Sequence, residues 1–277
     1  MIRLAVRVRR DQSEIVLAEL LDLAPGGVEE VSVGDDVIEY AVYGAPGELP
    51  ALPDLTAAAG SALVEVTTSE VADDWAERWR EFHRPLVLAG GRLVVRPPWE
   101  PAVGAAVELV IDPGQAFGTG AHATTRLCLE LMLSLPAVSG GFLDLGCGSG
   151  VLAIAAARLG WWPVVALDFD PAAVDASREN ARVNGVSIDV RRHDLRVDPV
   201  VSAPTVAANL LRPLLLDWAR RLSSVASVER PERVIASGLL VEEVDEVAGA
   251  FAGAGLVESE RRESGDWAAL LLHRHRP

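Results

Sequence analysis

Residues 141–150 read GFLDLGCGSG, and residues 164–171, a little further on, read VVALDFDP. In the first stretch the apolar residues Phe142, Leu143 and Leu145 run into Gly146, Gly148 and Gly150, and a helix-forming run, VLAIAAARLG, follows. A strand that feeds a glycine-rich turn opening a helix is a corner on which nucleotides bind. Glycine lets the backbone turn sharply there and approach a ligand closely. In the second stretch Asp168 closes an apolar run about 20 residues on, where a carboxylate accepts both hydroxyls of a ribose.

The glycines are spaced G-C-G-S-G rather than G-x-G-x-x-G, and Asp144 precedes the first of them. A dinucleotide sets its pyrophosphate on the helix N-terminus. A carboxylate beside the turn suits a cationic ligand better. The pattern D-x-G-x-G-x-G resembles the signature of S-adenosylmethionine-dependent methyltransferases, so S-adenosyl-L-methionine is the expected cofactor. The competing reading is a glycine turn that only packs helix on strand.

Composition bounds the alternatives. The chain has 277 residues, 50% of them hydrophobic, enough for one large core or two domains. No apolar run approaches the ~20 residues of a membrane helix, and no membrane association is expected. The start, MIRLAVRVRR, alternates like a strand and does not read as a signal peptide. Two cysteines, Cys128 and Cys147, make a disulfide framework improbable and suit the cytoplasm. His83, His122, His193, His273 and His275 show no metal-ligand spacing, so no metal is expected. The net charge of −15 disfavours a protein that tracks nucleic-acid phosphates and favours basic partners. All 25 basic residues are arginine; the chain has no lysine. A monomer is expected.

Working back to the start, Ile2, Leu4, Val6 and Val8 alternate with polar or small residues as a half-buried strand. Residues 12–23 read as a helix, 28–33 and 37–43 as strands around Gly34-Asp35-Asp36, 50–59 as a helix and 62–68 as a strand. The order βαββαβ is that of a ferredoxin-like α+β plait over residues 1–68. It holds no catalytic constellation and reads as a recognition or packing module. Residues 69–99 form a connector. Its stretch DDWAERWREFH has a helical period that gathers Trp75, Trp79 and Phe82, either to dock the connector on a domain or to meet a protein substrate. A short hairpin is expected over 85–95, around Gly90-Gly91, before Pro97-Pro98-Trp99.

Residues 100–277 alternate strand and helix, which predicts a doubly wound, mostly parallel Rossmann-like sheet with an antiparallel edge strand from the final hairpin at Ser264-Gly265-Asp266. Between the first strand and the glycine turn lies Asp112 to Thr125, DPGQAFGTGAHATT, whose amides and hydroxyls suit a cofactor pocket.

These motifs together carry a more specific resemblance. DPGQAFGTGAHATT, DLGCGSGVLAIAAARLG, DFDPAAVDASRENARVNGV, ANLL, SGLL and the tryptophan-rich connector resemble the ribosomal protein L-eleven methyltransferase family, PrmA, along nearly the whole chain. The resemblance implies an N-terminal substrate-recognition domain, a flexible linker and a class I methyltransferase domain that methylates amino groups of that ribosomal protein. It implies cofactor contacts at Thr125, Gly146, Asp168 and Asn209. From the loop and the turn, Phe117, Gly118, Thr119 and Gly148 join that set, and Asp194 is a candidate for the adenine amino group or a solvated loop aspartate. The chain departs from the family pattern at Ser202-Ala203-Pro204, at Glu229-Arg230-Pro231-Glu232 and around 192–201.

The sulfonium methyl is already activated, so the protein mainly aligns a neutral amine with it. An α-amine, with a pKa near ~8, loses its proton more readily than a lysine near ~10.4. Asn209 is the candidate catalytic residue: its side-chain carbonyl would accept from the amine, helped by the backbone carbonyls of Leu210 and Leu211. The alternative for Asn209 is a helix N-cap. Asp144 reads as a structural anchor, and His122 as a loop hydrogen-bonder. Three readings follow: a ribosomal protein N-methyltransferase; a methyltransferase of the same architecture acting on another protein, a small molecule or RNA; and a cofactor-binding protein without turnover.

Overall fold

The computed structural model describes residues 2–13, 16–17, 20, 28–32, 36–44, 49–50, 52–70, 84–112, 122–135, 140–224 and 230–275. The chain divides into two compact units, residues 1–82 and 83–277.

In the first unit, β1 (Ile2–Arg9), β2 (Glu29–Ser32), β3 (Val37–Gly44) and β4 (Leu63–Glu70) form an antiparallel sheet in the order β2-β3-β1-β4. The period-2 alternation of β1 sends Leu4, Val6 and Val8 to one face, where they meet Leu55 and Ala59 of α1 (Leu52–Ala59) together with Val16 and Leu20. On the other face Glu39 accepts from Arg3 and Arg7, which hold its carboxyl below the usual carboxylate range. The expected connector helix and Gly34-Asp35 lie outside the described residues.

The second unit begins earlier than the expected domain start at residue 100. Strands β5 (Leu86–Leu88) and β6 (Leu93–Arg96) pair as a hairpin, and β6 pairs in parallel with β7 (Val107–Val110). Leu88, Leu93 and Val95 are buried in the same core as the glycine-turn helix, so this hairpin belongs to the second unit and not to a connector.

The main sheet has seven strands, β10-β9-β8-β11-β12-β14-β13. They are β8 (Phe142–Leu145), β9 (Val164–Asp168), β10 (Asp189–Arg192), β11 (Thr205–Asn209), β12 (Arg233–Leu240), β13 (Leu256–Ser264) and β14 (Trp267–Arg274). The first five in spatial order are parallel. The antiparallel strand is not the edge strand expected from the hairpin: β14 inserts beside β12, and β13 takes the edge. The hairpin turn is where the sequence places it, but Leu270 and Leu272, which face the core, pull the second strand inward. Alternate residues of each strand feed opposite faces. Phe142, Ala207 and Ile235 pack with α2 (Ala123–Ser134), α3 (Val151–Leu159) and α4 (Pro171–Val183). Leu143, Leu145, Val206, Ala208, Val234 and Ala236 pack with α5 (Arg212–Ser224) and α6 (Val244–Gly253). Such a sheet is crossed at its carboxyl end by a crevice where the strand order reverses, here between β8 and β11.

Candidate active site

The glycine turn sits at that reversal. Gly146, Gly148 and Gly150 take φ of +71°, +52° and +80°, the left-handed region that other residues adopt only at a cost. The amides of Gly146 and Cys147 donate to Leu167 O at 2.8 and 3.0 Å, which ties the turn to the end of β9. Asp168, 8% exposed, completes the tie: its Oδ2 accepts from Gly148 N at 2.9 Å and its Oδ1 from Asp170 N at 3.0 Å. Asp170 then caps α4, accepting from Ala172 N at 2.9 Å, with Pro171 in the first turn as expected.

Two side chains of α4 that sequence reasoning missed hold the turn from below. Ser177 Oγ donates to Gly148 O at 3.0 Å, and Asn180 Nδ2 to Ser149 O at 2.9 Å. One turn on, Asn184 exchanges hydrogen bonds with both backbone groups of Val110, while Asn180 Oδ1 accepts from Asp112 N at 3.1 Å. The i, i+4 spacing in RENARVN is the signal for this pair, since such residues share a helix face.

Asp144 faces away from the crevice. It is 1% exposed, its Oδ2 accepts from Ala153 N in the first turn of α3 at 3.0 Å, and its Oδ1 has no partner among the described residues. Burial, with a further push from Asp168, raises its pKa to about 7. It anchors the turn, as expected, and lies beneath the site instead of offering charge to a ligand.

Two adjoining cavities open at the carboxyl ends of the strands. One, of about 250 Å³, is lined by Gly146, Asp168, Phe169, Asp194 and Arg196. The other, of about 340 Å³, is lined by His122, Thr124, Asn209, Leu211, Gly238 and Trp267. Leu210 and Leu214 line both. Leu210 is wedged there by two glycines. At Gly146 a Cβ would strike the Leu210 side chain, and at Gly238, φ +84°, a Cβ would lie 2.5 Å from Leu210 O. Gly238 is the bulge where the β12–β14 register slips, and Leu210 N donates to Ser237 O at 2.9 Å beside it. This is the physical content of ANLL and SGLL: each motif needs the other.

Asn209 ends β11 in the second cavity, and its Nδ2 donates to Thr124 Oγ1 and Thr125 Oγ1 at 3.3 and 3.4 Å. It is not the helix cap. Leu214 N and Leu215 N both donate to Leu211 O, which makes Leu211 the capping position of α5. Thr125 is buried behind Asn209, and Thr124 takes the place on the cavity wall. His122 caps α2 through Nδ1 and stacks edge-on against Trp267 at 4.9 Å; burial lowers its pKa, so the ring is neutral near pH 7. Phe117, Gly118 and Thr119 lie outside the described residues. Gly148 holds Asp168 and lines neither of these two cavities. Among the described residues no group of three or more His, Cys, Asp or Glu is arranged to hold a metal ion, and no helix is long and apolar enough to cross a membrane.

The donor set suits S-adenosyl-L-methionine. The first cavity offers carboxylates at Asp168 and Asp194 and an aromatic face at Phe169, the needs of a nucleoside without phosphates, and Gly146, at φ +71°, lines it without a side chain. The fold is that of the class I S-adenosylmethionine-dependent methyltransferases. The sequence pattern of ribosomal protein L11 methyltransferase (PrmA) matches residues 51–275. The chain belongs to that family. It is 43% identical over 202 residues to the ribosomal protein L11 methyltransferase of Symbiobacterium thermophilum, covering 72% of this chain and 65% of that protein. It is 42% identical over 205 residues to that of Geobacter metallireducens, covering 72% and 66%. A crystal structure of ribosomal protein L11 methylase from Lactobacillus delbrueckii subsp. bulgaricus superposes with a TM-score of 0.61 at 29% identity, over 70% of this chain and all of that one. The matched part thus spans about two thirds of the length of the two relatives.

Proposed function

We propose that this chain transfers methyl groups from S-adenosyl-L-methionine to amino groups of a basic large-subunit ribosomal protein of the L11 type. The observation that carries the reading is the placement of Asn209. With Nδ2 turned to two threonine hydroxyls, its Oδ1 is the end that an amine in the second cavity would meet.

The cofactor supplies a methyl group already activated on a sulfonium sulfur. Asp168 would accept the ribose hydroxyls, Asp194 the adenine amino group, and the turn at Gly146 would lie along the ligand. Thr125 acts behind Asn209 by fixing its amide plane. The amine arrives neutral and donates to Asn209 Oδ1, which points its lone pair at the methyl carbon; this is alignment, worth most in the transition state. Leu211, Leu214 and Trp267 give the aliphatic part of the substrate an apolar wall. We read the first unit as a ferredoxin-like recognition module, the stretch between Glu70 and Arg84 as its connection, and the protein as a cytoplasmic monomer that needs no nucleic-acid contact. The net charge of −15 favours a basic substrate.

The test is incubation with methyl-labelled cofactor and ribosomal proteins lacking the modification. Labelled methyl-lysine comes from the substrate, because the enzyme has no lysine of its own. Asn209→Ala should lower kcat at least tenfold with little change in cofactor affinity. Label in another molecule, or cofactor binding without any label, would sink the reading.

A further inference from the structure

The end of the first cavity away from Asn209 is contacted by the chain itself. Asp194 Oδ1 accepts from Arg196 Nε at 3.0 Å, and its Oδ2 from Nη2 at 2.9 Å. The Arg196 backbone amide adds a third bond to Oδ1 at 3.0 Å. The same guanidinium lies over the ring of Phe169, 5.5 Å from its centroid. Phe169 follows Asp168 directly and is 57% exposed. All four residues line the one cavity.

A guanidinium in this position is planar, donates N–H groups to a carboxylate and turns its face to an aromatic ring. An adenine bound next to a ribose on Asp168 would use the same two partners: its 6-amino group donates to Asp194 and its face lies on Phe169. The face of Phe169 that the guanidinium covers cannot hold both at once. A base stacked between Phe169 and the guanidinium needs a gap of about 7 Å, twice the ~3.5 Å contact distance between carbon layers. The cation sits closer than that, and it takes both carboxylate oxygens.

We propose that Arg196 is an internal competitor for the adenine subsite, holding Asp194 and Phe169 through the contacts a base would make, so that nucleoside binding drives its side chain outward. The inference rests on the reading of this cavity as the cofactor site. The outward path is open, since 62% of the Arg196 side chain is exposed. With Arg196 in place the Asp194 carboxyl is held down to about 2, and an aspartate without such a partner, with a pKa of ~3.9, is still ionised near pH 7, so the carboxylate remains an acceptor when Arg196 leaves it. Arg196 therefore lowers cofactor affinity and hastens release of the nucleoside product.

The test is calorimetric titration of S-adenosylhomocysteine into the wild-type chain, Arg196→Ala and Arg196→Lys. Removing an exposed cation–π contact and an exposed ion pair should tighten binding by about three- to tenfold in Arg196→Ala. Arg196→Lys keeps the charge without the planar fork and should fall between. With S-inosylhomocysteine, which has no 6-amino group for Asp194, the gain should shrink. Wild-type binding with an equal or weaker Arg196→Ala overturns the competition and leaves the cofactor reading standing; a weaker variant would make Arg196 a clamp on the base. Failure of the wild type and both variants to bind overturns the cofactor reading itself, and this inference with it.

Discussion

Asp144 is a carboxylate buried at a turn that already carries another at Asp168, and its raised pKa has a definite sign. The folded chain keeps a proton on it up to about pH 7, whereas an unfolded aspartate loses its proton near ~3.9. Its contribution to stability is therefore complete below about pH 4 and is lost as pH rises towards 7. Asp144→Asn should gain on the wild type through that window and then hold a constant lead, read from urea midpoints at several pH values. A lead that does not vary with pH would mean that Asp144 is ionised throughout. Asp168 is different, because its oxygens serve the protein as well as the ligand. Asp168→Ala should weaken S-adenosylhomocysteine binding by about 10- to 100-fold, the loss of a charged acceptor worth about 1.5–3 kcal/mol. It should also lower the melting temperature, since Gly148 and Asp170 lose their partner. An unchanged affinity in calorimetry would remove Asp168 from the site.

At the scale of elements, the decisive contact is between the ends of β11 and β12, where Gly238 admits the Leu210 backbone. Gly238→Ala forces a side chain into a left-handed conformation and into Leu210 O. It should cost about 1–3 kcal/mol in denaturant unfolding and weaken cofactor binding, because Leu210 forms part of the wall. A variant as stable and as avid as the wild type would show that the bulge relaxes. This pairing also marks where the sequence is legible. The glycine turn, Asp168 at a strand end and Pro171 in a first turn follow from local rules, and the structure has each where those rules put it. The insertion of β14 beside β12 depends on long-range pairing that no local pattern encodes. Thr124 and Thr125 are neighbours on a first helical turn, so their side chains diverge by about 100°. The sequence does not say which one meets the cavity. Arg196 and Phe169 are not legible as a pair because they stand 27 positions apart in the chain, with a helix and a strand between them.

For the whole molecule, the division near residue 83 sets where the chain can be cut. A chain beginning at Arg84 keeps β5 and β6 and should bind S-adenosylhomocysteine with wild-type affinity while losing methylation of the ribosomal protein. A chain beginning at Pro98 removes Leu88, Leu93 and Val95 from the core, where each large side chain lost costs about 2–5 kcal/mol. It should be poorly folded. Full methylation by the shorter soluble chain would show that the first unit is not the recognition module. One consequence reaches across the crevice. Leu210 is the partition between the two cavities, pinned through its side chain by one glycine and through its backbone by another. A ligand that shifts this partition from one side alters the room on the other, so on the proposed assignment of the two cavities the affinities for methyl donor and methyl acceptor would be linked. By thermodynamic reciprocity the factor by which the donor changes acceptor binding equals the factor by which the acceptor changes donor binding. A single side chain thus stands where the filling of either chamber is felt in the other.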